Sequence, residues 1–103
     1  MKVKIPREFK VGATPAKVYF QKNLSPDEGF NGTFNKRTGR LCIDSELIGA
    51  KRDKTFGHEL SEVIKENYDL DISEHTMTTI ANGWLEFLYE LGIEFIWDDI
   101  PTC

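Results

Sequence analysis

The chain has 103 residues, 40% hydrophobic, 12% aromatic and 29% charged, which suffices for one domain with a modest core. That balance excludes wholesale disorder and the collagen-like and low-complexity classes, and no apolar run approaches the roughly eighteen residues of a membrane span. The net charge of −4 is divided unevenly: residues 1–40 hold nine Lys/Arg against three Asp/Glu (+6), and residues 41–103 hold four against fourteen (−10).

The first half reads as strands. Val3, Ile5, Phe9 and Val11 fall at alternating positions, with Pro6 and Pro15 marking bends or edges. Lys17 to Gln21 is rich in β-formers, and residues 23–32, with Pro26, Gly29 and Gly32, read as a loop. Gly32 to Asn35 and Arg40 to Asp44 flank a glycine-containing connection, the pattern of a hairpin. Together these predict a small antiparallel N-terminal sheet. The second half reads as two antiparallel helices. From Arg52 to Tyr68, Phe56, Leu60, Val63 and Ile64 recur at helical spacing, with Asp53 as a polar residue near the start. After a short acidic connection, Ser73 is a good N-cap and Glu74 suits the first turn. Met77, Ile80, Ala81, Trp84, Leu85, Leu88 and Leu91 then form an apolar stripe that stops at Gly92. Trp84, Phe87, Leu88 and Tyr89 accordingly read as core and flank. The expected class is α+β in a single domain over 1–103: 1–50 mainly β, 51–92 the two helices, and 93–103 a tail that forms a short strand or a docked extension.

Several readings bear on setting and partners. The charged first ten residues lack the apolar stretch of a secretory signal, and the two cysteines, Cys42 and Cys103, make no disulfide framework. Reduced thiols in a cytoplasmic setting are therefore expected. The charge asymmetry fits an acidic cleft, a basic docking surface, or two differently solvated faces. A pI near 5.1 argues against a nucleic-acid partner.

The chemistry concentrates in Thr55-Phe56-Gly57-His58-Glu59-Leu60-Ser61-Glu62. His58 and Glu62 are four residues apart, so both leave one face of the helix and can reach a common point, with Glu59 on the flank. This is the spacing of the His-Glu-x-x-His zinc helix with Glu as the second ligand. Imidazole and carboxylate both ligate zinc and related divalent ions. An open catalytic site needs a third ligand, and His75, one turn into the next helix, is the candidate. The same residues also fit a solvated helix face, with Glu62 paired to Lys65 and His75 exposed.

The span Thr55 to Leu91 resembles the small zincin-like metallopeptidases of bacteriophages and mobile elements. Their pattern is Thr-x-x-His-Glu-hydrophobic-x-(His or Glu), a short loop, a ligand near the start of a second helix, and a run like Ile80-Ala81-Asn82-Gly83-Trp84-Leu85-Glu86-Phe87-Leu88. Gly39 to Asp44 resembles the strand before their helix, while residues 1–31 match nothing in the pattern. The resemblance implies a zinc-dependent hydrolase acting on a peptide or protein. It makes His58, Glu62 and His75 the metal ligands and Glu59 the general base that takes a proton from a metal-activated water. The family more often has His at position 62 and Glu as the third ligand, an apparent exchange here. Glu74, beside His75, is a rival third ligand. It would give one imidazole and two carboxylates, a harder set that favours manganese or magnesium over zinc. A two-His-one-carboxylate set also occurs in non-haem iron oxygenases, whose strand-borne motif is not found here. In such a mechanism the strand Arg40 to Asp44 is expected to align an extended peptide by edge pairing. The alternative on the same scaffold is a non-catalytic binding or regulatory module with a structural or silent metal site.

Overall fold

The computed structural model describes residues 1–24 and 30–103, so the predicted loop over 23–32 lies partly outside the described residues. The elements are β1 (Lys2–Lys4), β2 (Glu8–Lys10), β3 (Pro15–Gln21), β4 (Gly32–Asn35), β5 (Arg40–Asp44), α1 (Gly49–Asn67), α2 (Glu74–Glu90) and β6 (Glu94–Ile96). Among the described residues the chain is α+β with two helices.

The predicted hairpin forms: β4 and β5 pair antiparallel, from Gly32 opposite Ile43 to Asn35 opposite Arg40. Its turn is set by Asn35, whose Oδ1 accepts the backbone N–H groups of Arg37 (2.9 Å) and Thr38 (3.2 Å). Gly39 closes it at φ +75°, and a Cβ there would stand 2.5 Å from the Pro15 carbonyl oxygen.

The sheet departs from the antiparallel one expected. Its order is β2-β3-β5-β4, with β3 and β5 parallel, so the four strands form a mixed sheet. The reason lies in β5, where Leu41, Cys42 and Ile43 are all buried. A strand buried on both faces belongs in the interior of a sheet. The hairpin covers only one side of β5, and residues 22–39 give the chain length enough to return with β3 parallel on the other. The N-terminal strand β1 leaves this sheet altogether and pairs in parallel with β6 at the other end of the chain, Val3 opposite Phe95. The tail continues across the sheet end. Phe20 N–H donates to the Pro101 carbonyl and Cys103 N–H to the Phe20 carbonyl, while Trp97 and Ile100 enter the core with Ile5, Val18, Leu41, Ile43 and Val63.

Helix α1 lies on the sheet through Val63, and its C-terminal Asn67 donates Nδ2 to the Val11 and Thr14 carbonyls of the β2–β3 turn (2.8 and 2.9 Å). It begins before Arg52, so Asp53 is inside the helix rather than at its cap. The Asp53 carboxylate accepts instead from Trp97 Nε1 (3.0 Å) and from the Tyr89 hydroxyl, tying both helices to the tail. Asp53→Ala leaves the indole N–H of buried Trp97 without its acceptor. We expect a loss of about 1–3 kcal/mol, read as a lower denaturation midpoint in urea; an unchanged midpoint would show that water replaces the carboxylate at no cost.

Helix α2 begins as predicted, with Ser73 Oγ accepting the Thr76 N–H (3.1 Å). It runs antiparallel to α1: Lys65 meets Glu74, His58 meets Thr78 and Asp53 meets Tyr89. The helices stack outward from the sheet, α1 against β4 and β5 and α2 against α1. One expectation fails here. Met77 and Leu85 are buried, but Ile80, Trp84, Phe87 and Leu91 stand exposed. Among the described residues only the stripe of α2 that faces α1 has a partner, and no further layer covers its outer side. No helix among the described residues is long and apolar enough to cross a membrane.

Candidate metal centre

The centre forms where the middle of α1 meets the first turn of α2. Helical periodicity places His58 and Glu62 one above the other on α1, and the antiparallel crossing sets Glu74 of α2 against them. One nitrogen of His58 and one carboxylate oxygen each from Glu62 and Glu74 all lie within 4.8 Å of one another. His58 Nε2 is 3.4 Å from Glu74 Oε2. Its other ring nitrogen, Nδ1, is 3.0 Å from Thr78 Oγ1. When Nδ1 carries the proton and donates it to Thr78, Nε2, 3.4 Å from Glu74 Oε2, is left with a free lone pair. That is the tautomer a metal-ligating histidine requires.

Two of the three ligands expected from the sequence, His58 and Glu62, are thus brought together, and the third member of the group is Glu74. His75, one residue on, is exposed and lies outside the group. Adjacent helical residues point about 100° apart, so Glu74 and His75 cannot both face α1. Thr78 was not foreseen. Its signal was available, since it stands one turn beyond Glu74 on the same face.

Glu59 occupies a different position. Only 6% exposed, it sits between α1 and the outer strand β4. Gly32 permits this approach: a Cβ there would stand 2.9 Å from Glu59 Cγ and 2.8 Å from Thr55 Cγ2. Glu59 and His58 both line an open cleft of about 590 Å³ whose other side is formed by Phe30, Asn31 and Gly32 at the sheet edge, with Thr78 and Asn82 of α2 closing it. The edge strand is therefore β4. Strand β5 is paired on both sides, which corrects the expectation that Arg40 to Asp44 offers a free edge.

Three carboxylates gather here, with Lys51 and Lys54 along the cleft and Lys65 at the rim as the neighbouring cations. The Glu59 carboxyl is pushed up to about 7, first by burial and then by the facing carboxylates of Glu62 and Glu74. Glu62 is also raised, by burial and by its hydrogen bond and like charge with Glu74, against the opposing pull of Lys65. Lys65 Nζ approaches Glu74 Oε1 only to 3.9 Å, a long contact at the exposed rim.

Comparison with known proteins finds no matching family model, curated protein or solved structure. The functional reading accordingly rests on the side chains themselves.

Proposed function

We propose that His58, Glu62 and Glu74 hold a divalent cation and that the chain is a metal-dependent hydrolase of the small zincin-like peptidase type found in phages and mobile elements. The observation that carries this is the convergence of three ligand atoms within 4.8 Å beside a cleft that holds a buried carboxylate. The donor set fits a cation: one imidazole and two carboxylates, with the Glu62 carboxyl pushed up by burial and by the Glu74 carboxylate beside it. It is harder than the two-imidazole set expected from the sequence and improves the standing of Mn²⁺ relative to Zn²⁺.

When bound, the ion supplies Lewis-acid activation of water. Thr78 fixes the His58 ring so that Nε2 points inward. Glu59 lies on the cleft side, one residue from a ligand, where it takes a proton from the attacking water and returns it to the leaving amine. Its proton affinity, near 7, suits a base working at neutral pH. Strand β4 offers the free edge along which an extended peptide can pair, with Gly32 keeping the path to Glu59 clear.

The test combines elemental analysis of protein loaded with Zn²⁺ or Mn²⁺ with hydrolysis of casein and a peptide library, with and without chelator. Glu59→Gln should retain stoichiometric metal and lose about a hundredfold or more in hydrolysis. If Glu59→Gln cleaves as well as the parent, the assigned base is wrong. If the parent binds metal and cleaves nothing, the non-catalytic module on the same scaffold is the better reading.

A further inference from the structure

The cleft beside the metal centre has two ends of opposite charge. His58 and Glu59 stand at one end, and Lys51 and Lys54 line the other, across from Phe30 and Asn31. Positions 51, 54, 58 and 62 follow one another at three- and four-residue steps, so they share one face of α1. Along that face the side chains change from ammonium groups to metal-ligand types.

The two lysines stand out against their surroundings. Residues 41–103 hold four Lys/Arg against fourteen Asp/Glu, and three of those four are Lys51, Arg52 and Lys54. Arg52 has an internal duty: its guanidinium lies over the rings of Trp97 (5.2 Å) and Phe20 (5.8 Å). Asp53, between the lysines, turns away from the cleft to Trp97 and Tyr89. Lys51 and Lys54 are exposed and form no ion pair among the described residues. The Thr55 hydroxyl beside them already donates to the Lys51 carbonyl (2.8 Å). The ammonium groups are thus left to meet whatever enters this end of the cleft, and two like charges one turn apart favour an anion between them.

Spacing converts this into a preference along a peptide. A helix rises about 1.5 Å per residue, which puts Lys54 about 6 Å and Lys51 about 10 Å from His58 along the axis. An extended chain advances about 3.3 Å per residue, so the lysines stand opposite positions about two and three residues from the group held at His58.

We infer that the cleft selects peptides carrying a carboxylate about two or three residues from the bond beside the metal centre, and that Lys51 and Lys54 set this preference. The inference deepens the peptidase reading and rests on it for the cleft being a peptide site. The carboxylate is that of an Asp or Glu side chain or of a free C-terminus. A Lys or Arg at the same place meets like charge and is disfavoured.

Binding is measured by anisotropy with full-length Glu59→Gln chain, so that no probe is consumed, both with saturating Mn²⁺ and in chelator. Four heptapeptides of Val, Thr and Ala carry the same neutral dye. One has a single Glu and an amidated C-terminus, one has Gln in its place and an amide, one has Gln and a free C-terminus, and one has Lys and an amide. At least one carboxylate probe should bind about fivefold or more tightly than the neutral probe, and the Lys probe should bind most weakly, with the differences shrinking at high salt. Which carboxylate probe gains identifies the source. Replacing both lysines (Lys51→Gln with Lys54→Gln) should bring the four probes close to equality. Reversing them (Lys51→Glu with Lys54→Glu) should make the Lys probe the tightest, an inversion that loss of folding does not produce. Equal binding of charged and neutral probes, binding of none, or a preference that survives both double substitutions overturns the inference. Its failure is distinct from that of the peptidase reading: a parent chain that cleaves casein without charge preference keeps the hydrolase and loses this selectivity, whereas lysine-dependent binding without cleavage does the reverse.

Discussion

Glu74→Ala and His58→Ala are each expected to weaken divalent-metal binding by more than about a hundredfold, whereas His75→Ala should leave it within about twofold of the parent. The contrast follows from the helix crossing. Glu74 faces His58 at 3.4 Å, while the next side chain turns away from α1 into solvent. Removing Glu74 leaves two ligands on one helix and nothing from the other, so a cation bound there no longer bridges the helices. Thr78→Val tests the orienting contact separately. It keeps all three donors but removes the acceptor of His58 Nδ1, and a loss of about 10–100-fold is the expected size for such a supporting hydrogen bond. Isothermal titration with Zn²⁺ and Mn²⁺ on all four variants, with circular dichroism to confirm folding, decides the matter. Should His75→Ala prove as damaging as Glu74→Ala, the bound state uses a different rotation of α2 from the one described above.

What the sequence disclosed and what it concealed divide along the range of the interactions. Helix α2 announced its start because Ser73 and Thr76 interact within one turn. The β4–β5 hairpin was visible for the same reason: Asn35 and Gly39 set the turn locally. The parallel pairing of β3 with β5, and of β1 with β6, joins segments far apart in the chain, and alternation of apolar residues does not say in which direction a partner runs. Asp53 was misplaced because its partners, Tyr89 and Trp97, belong to elements that arrive much later. Periodicity does show that His58 and Glu62 share a face. It does not show which of Glu74 and His75 looks back at them, because that depends on how α2 is rotated about its axis. The same rotation decides which of two adjacent apolar stripes on α2 is buried. The hydrophobic pattern marks Trp84 and Met77 alike as apolar; only the layer order, with no described residue outside α2, separates them.

The metal-free protein should lose stability as pH rises from about 5 to 8, and a bound cation should reverse that trend. Glu59 titrates at about 7 in the folded chain against an ordinary value of 4.5, and Glu62 is raised in the same sense. Between those values the folded state holds protons that the unfolded state has released. The contribution of these groups is therefore complete below about pH 4.5 and disappears as pH climbs through about 7. For buried Glu59 the shift corresponds to about 3 kcal/mol. A cation acts in the opposite direction. It competes with protons for the Glu62 carboxylate, and its positive charge offsets the repulsion that contributes to raising Glu59. Thermal melts in chelator should thus show a midpoint that falls with pH, and melts with saturating Mn²⁺ or Zn²⁺ should show a gain that is larger at pH 8 than at pH 5. Glu59→Gln replaces the buried acid with a neutral group of the same shape. It should flatten the chelator profile while preserving most of the metal-induced gain at pH 8. A parent chain that is more stable at pH 8 than at pH 5 in chelator, with Glu59→Gln changing nothing, would mean that the carboxyls beside His58 are solvated and ionised, and that no shortage of positive charge draws a cation to this crossing.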